Sequence, residues 1–299
     1  MNRRGDIIQT PFETDTVLEY LKFIQKIDKV DKWEDLKPIS NPINNLNNYE
    51  IPWDLINKLT GKGYGIADLI TNIETANRSA PILGARYSYL RMEQQGVMIE
   101  LVEQIAKSIK HPLNFFIEPG CFTGGLLNFL AYKYPNSRTI GLDISPISLD
   151  LASNFASAIG HNDRTHWLEV DFGLVKAELL TPVVGFEINR PVVLISNMLT
   201  YLGMPFENSP GIDKWHVKAG LISYWVNLGA LVVVSERHND PDALVDTLMK
   251  NGRWEYDKTK AVILKDWVGF STINMTDESP MGEWNEYRMC VIAFHRDFN

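Results

Sequence analysis

Two rhythms of apolar and polar positions divide this chain of 299 residues. Through about residue 110, apolar residues recur every three or four positions, the helical interval. In DTVLEYLKFIQKI, the residues Val17, Leu18, Leu21, Ile24 and Ile27 share one helical face. IPWDLINKL and IADLITNIE are shorter helical patterns, and PISNPINNLNNYEIP, rich in Asn and Pro, predicts a loop. RYSYLRMEQQGVMIELVEQIAKSIK predicts a longer helix in two pieces around Gly96.

From about residue 112 the rhythm changes. LNFFIE, RTIGLDI, THWLEVDF, RPVVLISNML, ALVVVSE, KAVILKDW and RMCVIAFHR are strand-like apolar runs. Near-continuous Val, Ile and Leu predict strands covered on both faces. Helical patterns lie between the earlier runs: one from Gly125, then SLDLASNFASAI, AGLISYWVNLG and DPDALVDTLMKNG. In the last, Asp240 stands at the cap and Pro241 in the first turn. Alternating strands and helices predict an α/β fold with an open, mostly parallel sheet. No clear helix separates the final two runs, which predicts an antiparallel last pair. The chain divides into a helical amino-terminal cap or lid segment, 1–110, and a sheet domain, 111–299. No internal repeat or low-complexity tract interrupts it.

Ligands of open α/β sheets sit beyond the carboxyl ends of the strands, so the residues that end each run are the candidates. The first run ends in Glu118 and opens a loop, EPGCFTGG, with Gly120 and Gly124. Glycines let a backbone approach a ligand closely. The second run ends in Asp143, able to accept both hydroxyls of a ribose. The third ends in Asp171 and Phe172, an acceptor for an adenine amine beside a packing ring. The fourth ends in Ser196, Asn197 and Met198, and the fifth in Glu236, Arg237 and His238. Glu118 and Asp143 also have ordinary readings as caps of the loop and helix that follow them.

This constellation resembles the class I S-adenosylmethionine-dependent methyltransferases. Their first motif, an acid, any residue, Gly, a short spacer and Gly, is matched by EPGCFTG, and Asp143 and Asp171–Phe172 match their next two strand-end positions. The resemblance covers roughly residues 112 to 299 and implies a seven-stranded Rossmann-like sheet. It implies that Glu118 lies near the methionine amino group, and that Gly120 and Cys121 pass under the methionine and ribose. Asp143 would hold the ribose, Ile144 would lie against the adenine, and Asp171 would bind its amine. Phe122 stands where the family commonly has a middle glycine and must point away from the ligand. The same Phe122 breaks the GxGxxG of a dinucleotide-binding dehydrogenase, the rival on this fold.

The acceptor is less legible. His238 and Glu236 are candidates for proton transfer, and Tyr201 for facing the methyl group, although each has an ordinary packing or surface reading. SNMLTYL lacks the Pro-Pro of DNA-adenine methyltransferases after its Asn197. Arg86, Tyr87 and Tyr89 could form a lid or simply pack, and Trp215 and His216 sit before a helix as surface and packing groups. The net charge of −8 opposes general nucleic-acid binding. Cys121 and Cys290 read as reduced thiols of a cytoplasmic protein. The opening MNRRGDIIQTPFETD does not read as a signal peptide, no apolar run reads as a membrane span and no spacing suggests a metal site, and nothing sets the oligomeric state. The expectation is methyl transfer to an oxygen or nitrogen of a small molecule. A protein or peptide methyltransferase and a non-catalytic cofactor-binding regulator are the alternatives.

Overall fold

A computed structural model describes residues 8–9, 92–170, 177–196, 214–238, 240–250, 267–278 and 284–296. A short strand, β1 (Ile8–Gln9), and a long helix, α1 (Met92–Ile109), come first. Strand β2 (Phe115–Pro119), helix α2 (Gly125–Lys133), strand β3 (Arg138–Asp143) and helix α3 (Pro146–Ala158) follow, then β4 (Thr165–Glu169) and α4 (Ala177–Val184). The chain continues with β5 (Val192–Ser196), α5 (Lys214–Asn227), β6 (Leu231–Arg237) and α6 (Pro241–Lys250), and closes with β7 (Trp267–Glu278) and β8 (Trp284–Phe294).

The strands form one sheet in the order β1-β7-β8-β6-β5-β2-β3-β4. Strands β2 to β6 pair in parallel, while β8 runs antiparallel to both β6 and β7. The antiparallel final pair is as expected. The eighth strand is β1, paired in parallel with β7 through Ile8 and Gly269. Strand β7 begins at Trp267, the last residue of KAVILKDW; the rest of that run lies outside the described residues. In its place WVGFSTINMTDE forms the strand.

Side chains alternate between the two faces of a strand, and the core divides accordingly. Phe116, Val192, Leu194, Leu231, Val233, Met289 and Val291 pack with α1, α2 and α3. Ile117, Ile140, Leu142, Val193, Ile195, Val232, Val234 and Ile292 pack with α4, α5 and α6. Helix α1 runs unbroken through Gly96, because Val97, Met98, Leu101, Val102 and Ile105 are buried against the sheet. That packing outweighs the cost of a mid-helix glycine, about 1 kcal/mol. Both described pieces of the amino-terminal segment, β1 and α1, thus lie on the sheet.

Two helical features differ from expectation. Trp215 and His216 lie inside the first turn of α5 rather than before it. Helix α4 was not anticipated, since Pro182 inside it reads as a breaker. Asp240 does cap α6: its Oδ1 accepts the Ala243 N–H at 2.7 Å, and Pro241 opens the helix.

At the amino ends of the strands, His111 is buried edge-on against His295, ring centroids 5.3 Å apart. Burial, then the charges of His295 and Arg190, push its pKa down to about 4 from 6.5. A depressed histidine contributes stability above its unfolded pKa, and that contribution is lost as pH falls toward the folded value. The unfolding midpoint is therefore expected to fall between pH 6.5 and 4. His111→Phe should flatten that slope; an unchanged slope in thermal melts would show that His111 does not carry it.

Candidate functional site

Chain order reverses across the sheet between β2 and β5: β3 and β4 lie on one side of β2, β5 and β6 on the other. Such a switch point leaves a crevice beyond the carboxyl ends of the strands. Glu118 ends β2 and Asp143 ends β3, with Glu118 opposite Gly141 in register. By strand alternation both carboxylates lie on the face covered by α1, α2 and α3.

The glycine loop is suspended from β3. Gly120 and Cys121 both donate their N–H groups to the Leu142 carbonyl, at 2.7 and 3.1 Å. Phe122 donates its N–H to Asp143 Oδ2 at 2.9 Å, and Ser145 donates to Asp143 Oδ1 at 2.9 Å. The acid therefore holds both the loop and the start of the segment leading into α3. Gly120, Phe122 and Gly124 all adopt positive φ, at 64°, 49° and 70°. For Phe122 this is a strained conformation, and its side chain is buried.

Glu118 is 3% exposed, and its Oε2 has no hydrogen-bond partner. No side chain caps α2, whose N-cap is Gly124, so capping does not explain this acid. Burial, then the neighbouring Asp143, raise the Glu118 pKa well above 4.5. Burial also raises Asp143 from 3.8, opposed by the N–H groups of Ser145, Phe122 and Ile144. Helix α3 is capped by Ser145, whose Oγ accepts the Ser148 N–H at 3.1 Å. Ile144 is half-buried beside it. Cys121 is a buried free thiol whose pKa is raised by burial, then by Asp143 and Glu118.

A buried carboxyl oxygen without a partner suits a cation, which repays its desolvation. It suits a pyrophosphate badly, because two buried acids would face the anion.

The acceptor-side candidates are more dispersed. His238 follows β6 half-buried, its pKa lowered by burial against the opposing pull of Asp240, so its ring is held toward the neutral, proton-accepting form. Glu236 is buried and opposite Cys290 in register. Its parity is that of Val232 and Val234, which places it on the α4–α6 face, away from Glu118 and Asp143. Asp171, Phe172, Asn197, Tyr201, Arg86, Tyr87 and Tyr89 lie outside the described residues.

Sequence reasoning missed Trp167, on β4. A Cβ at Gly141 would meet the Trp167 ring at 2.4 Å and Cys121 Sγ at 2.8 Å, and a Cβ at Gly124 would meet the ring at 2.5 Å. The indole thus fills the room that two glycines leave behind the loop. Gly141→Ala overpacks this contact, at a cost of about 1–3 kcal/mol. Its unfolding midpoint should fall and be partly regained in Gly141→Ala/Trp167→Leu. No regain would mean that Trp167 is not the obstacle.

No family model and no curated protein sequence matches the chain. Among solved structures, similar chains are found at TM-scores under 0.5. One is magnesium protoporphyrin IX methyltransferase from Synechocystis PCC 6803 with bound SAH, at 16% identity, TM-score 0.43, covering 77% of this chain and 98% of that one. A second is precorrin-6y C5,15-methyltransferase from Geobacter metallireducens GS-15, at 12% identity, TM-score 0.42, covering 69% and 89%. A third is a TehB-like SAM-dependent methyltransferase from Corynebacterium glutamicum, at 14% identity, TM-score 0.38, covering 67% and 87%.

Proposed function

We propose that the chain is an S-adenosylmethionine-dependent methyltransferase acting on an oxygen or nitrogen nucleophile of a small molecule. One observation carries the reading: the buried Glu118 carboxyl, with an unpartnered oxygen, at the start of a glycine loop tied to Asp143. S-adenosylmethionine is a cation at its ammonium and sulfonium groups and fits this donor set. When bound, it supplies a methyl group activated by the sulfonium.

The chain's own residues have simple tasks in this reading. Glu118 binds the ammonium group. Gly120 and Cys121 bring the backbone close to the ligand. Asp143 orients the loop and holds the ribose. Asp171, Phe172 and Asn197 complete the cofactor contacts. The sheet and its helices hold the donor and exclude water, so that an aligned nucleophile can approach. His238, with its ring held toward the neutral form, accepts a proton where the nucleophile arrives protonated. The net charge of −8 supports a small-molecule acceptor over nucleic acid.

Incubation with S-adenosylmethionine labelled at the methyl carbon tests this reading, with a panel of phenols, hydroxy acids and amines alongside a mixed peptide library. Label in a small molecule is the expected result. Label in peptides would replace it with a protein methyltransferase. Cofactor binding without transfer to any acceptor would favour the regulatory alternative.

A further inference from the structure

Gln94 belongs to none of the strand-end motifs, yet it is fully buried, at 0% exposure, near the start of α1. Its Nε2 donates to Ser235 Oγ at 2.7 Å and approaches Ser196 Oγ at 3.3 Å. Ser196 and Ser235 are register partners at the carboxyl ends of β5 and β6. Both follow the parity of the residues that pack with α1, so they share a face with Glu118 and Asp143. A polar row therefore crosses four adjacent strands, Asp143, Glu118, Ser196 and Ser235, and the switch point falls between its second and third members. Asp143 and the loop fix one wall of the crevice. A single amide from α1 fixes the other.

A buried amide carries a desolvation cost that an apolar side chain of the same size avoids. Neighbouring positions on α1, Val97, Met98 and Leu101, meet the sheet with apolar groups. The amide at 94 gives what they cannot, a directional bond to both serine hydroxyls.

We propose that Gln94 is a positioning residue of the methyl-donor site, setting the ends of β5 and β6 through Ser196 and Ser235 so that the far wall of the crevice meets the cofactor. The inference rests on the methyltransferase reading above. Gln94 acts through the two serine hydroxyls. Positioning and simple structural support differ in one respect. Replacing all members of a buried polar cluster by apolar groups can be nearly neutral for stability, but it does not restore hydroxyl orientation.

The test compares the wild type, Gln94→Leu and the triple variant Gln94→Leu/Ser196→Ala/Ser235→Ala by calorimetric titration with S-adenosylhomocysteine and by thermal unfolding. Gln94→Leu should bind about tenfold more weakly, the loss expected for one to two directional hydrogen bonds. The triple variant should recover its unfolding midpoint toward the wild type without recovering affinity. Affinity within twofold of the wild type in either variant overturns the proposal. Failure of the wild type itself to bind S-adenosylhomocysteine overturns the methyltransferase reading, and the proposal with it.

Discussion

Binding of S-adenosylmethionine is expected to lower the Glu118 pKa, so that proton release on binding, followed across pH, is present in the wild type and absent in Glu118→Gln. Two buried acids share the site, and they differ in how they are held. Asp143 receives backbone N–H groups on both oxygens, which stabilise its charge. Glu118 has an unpartnered oxygen, and burial followed by Asp143 raises its pKa well above 4.5. The other titratable group beside it, the Cys121 thiol, is raised as well and stays protonated. Of the two acids, Glu118 is therefore the one held more strongly toward its protonated form. A ligand cation beside it favours the carboxylate, so binding releases protons over the pH range in which Glu118 titrates. Titration in buffers of different ionisation enthalpy reads the proton count directly. Equal apparent heats across buffers in the wild type, or an unchanged count in Glu118→Gln, would contradict the assignment.

The same group sets a stability trend for the free protein. Below pH 4.5 Glu118 is protonated in both the folded and unfolded states. Above it, the unfolded chain ionises first, so stability declines as pH rises toward the folded value. Glu118→Gln should remove that decline. It should also weaken cofactor binding by roughly one to two orders of magnitude, the scale of a charge-assisted hydrogen bond.

Asp143→Ala should abolish measurable cofactor binding while the sheet remains folded. The substitution leaves the Phe122 and Ser145 N–H groups without their acceptor, at roughly 1–3 kcal/mol each. It also removes the oxygens available to the ribose. The bonds from Gly120 and Cys121 to Leu142 are backbone bonds and survive, so β2 and β3 stay paired. Circular dichroism should report a native fold with a lowered unfolding midpoint, and titration with S-adenosylhomocysteine should show at least a hundredfold loss. Asp143→Asn keeps one acceptor oxygen and should fall between. Normal binding by Asp143→Ala would remove Asp143 from the site.

Much of this site is legible in the sequence for a physical reason. Strands buried on both faces appear as unbroken apolar runs, so their ends mark the rim where Glu118 and Asp143 stand. What stays hidden depends on contacts between elements. Gly141 reads as an ordinary strand residue until the Trp167 ring is placed on it. Gln94 reads as one polar position of a helix until two serines from distant strands meet its amide. Glu236 reads as a strand-end acid like Glu118, but its place one residue past Ser235 turns it to the opposite face. Helix α4 is short and holds Pro182, so neither length nor composition signals it. The double duty of Asp143 is equally invisible, because its partners Phe122 and Ser145 bond through backbone groups that carry no sequence signature.

The central claim is that the glycine loop and its two acids hold a cationic adenosyl cofactor. Its most direct test is parallel calorimetric titration of the purified protein with S-adenosylmethionine, S-adenosylhomocysteine and NADH. Micromolar binding of both adenosyl compounds and none of NADH is the predicted result. Preference for NADH, or no binding of either adenosyl compound, would contradict it.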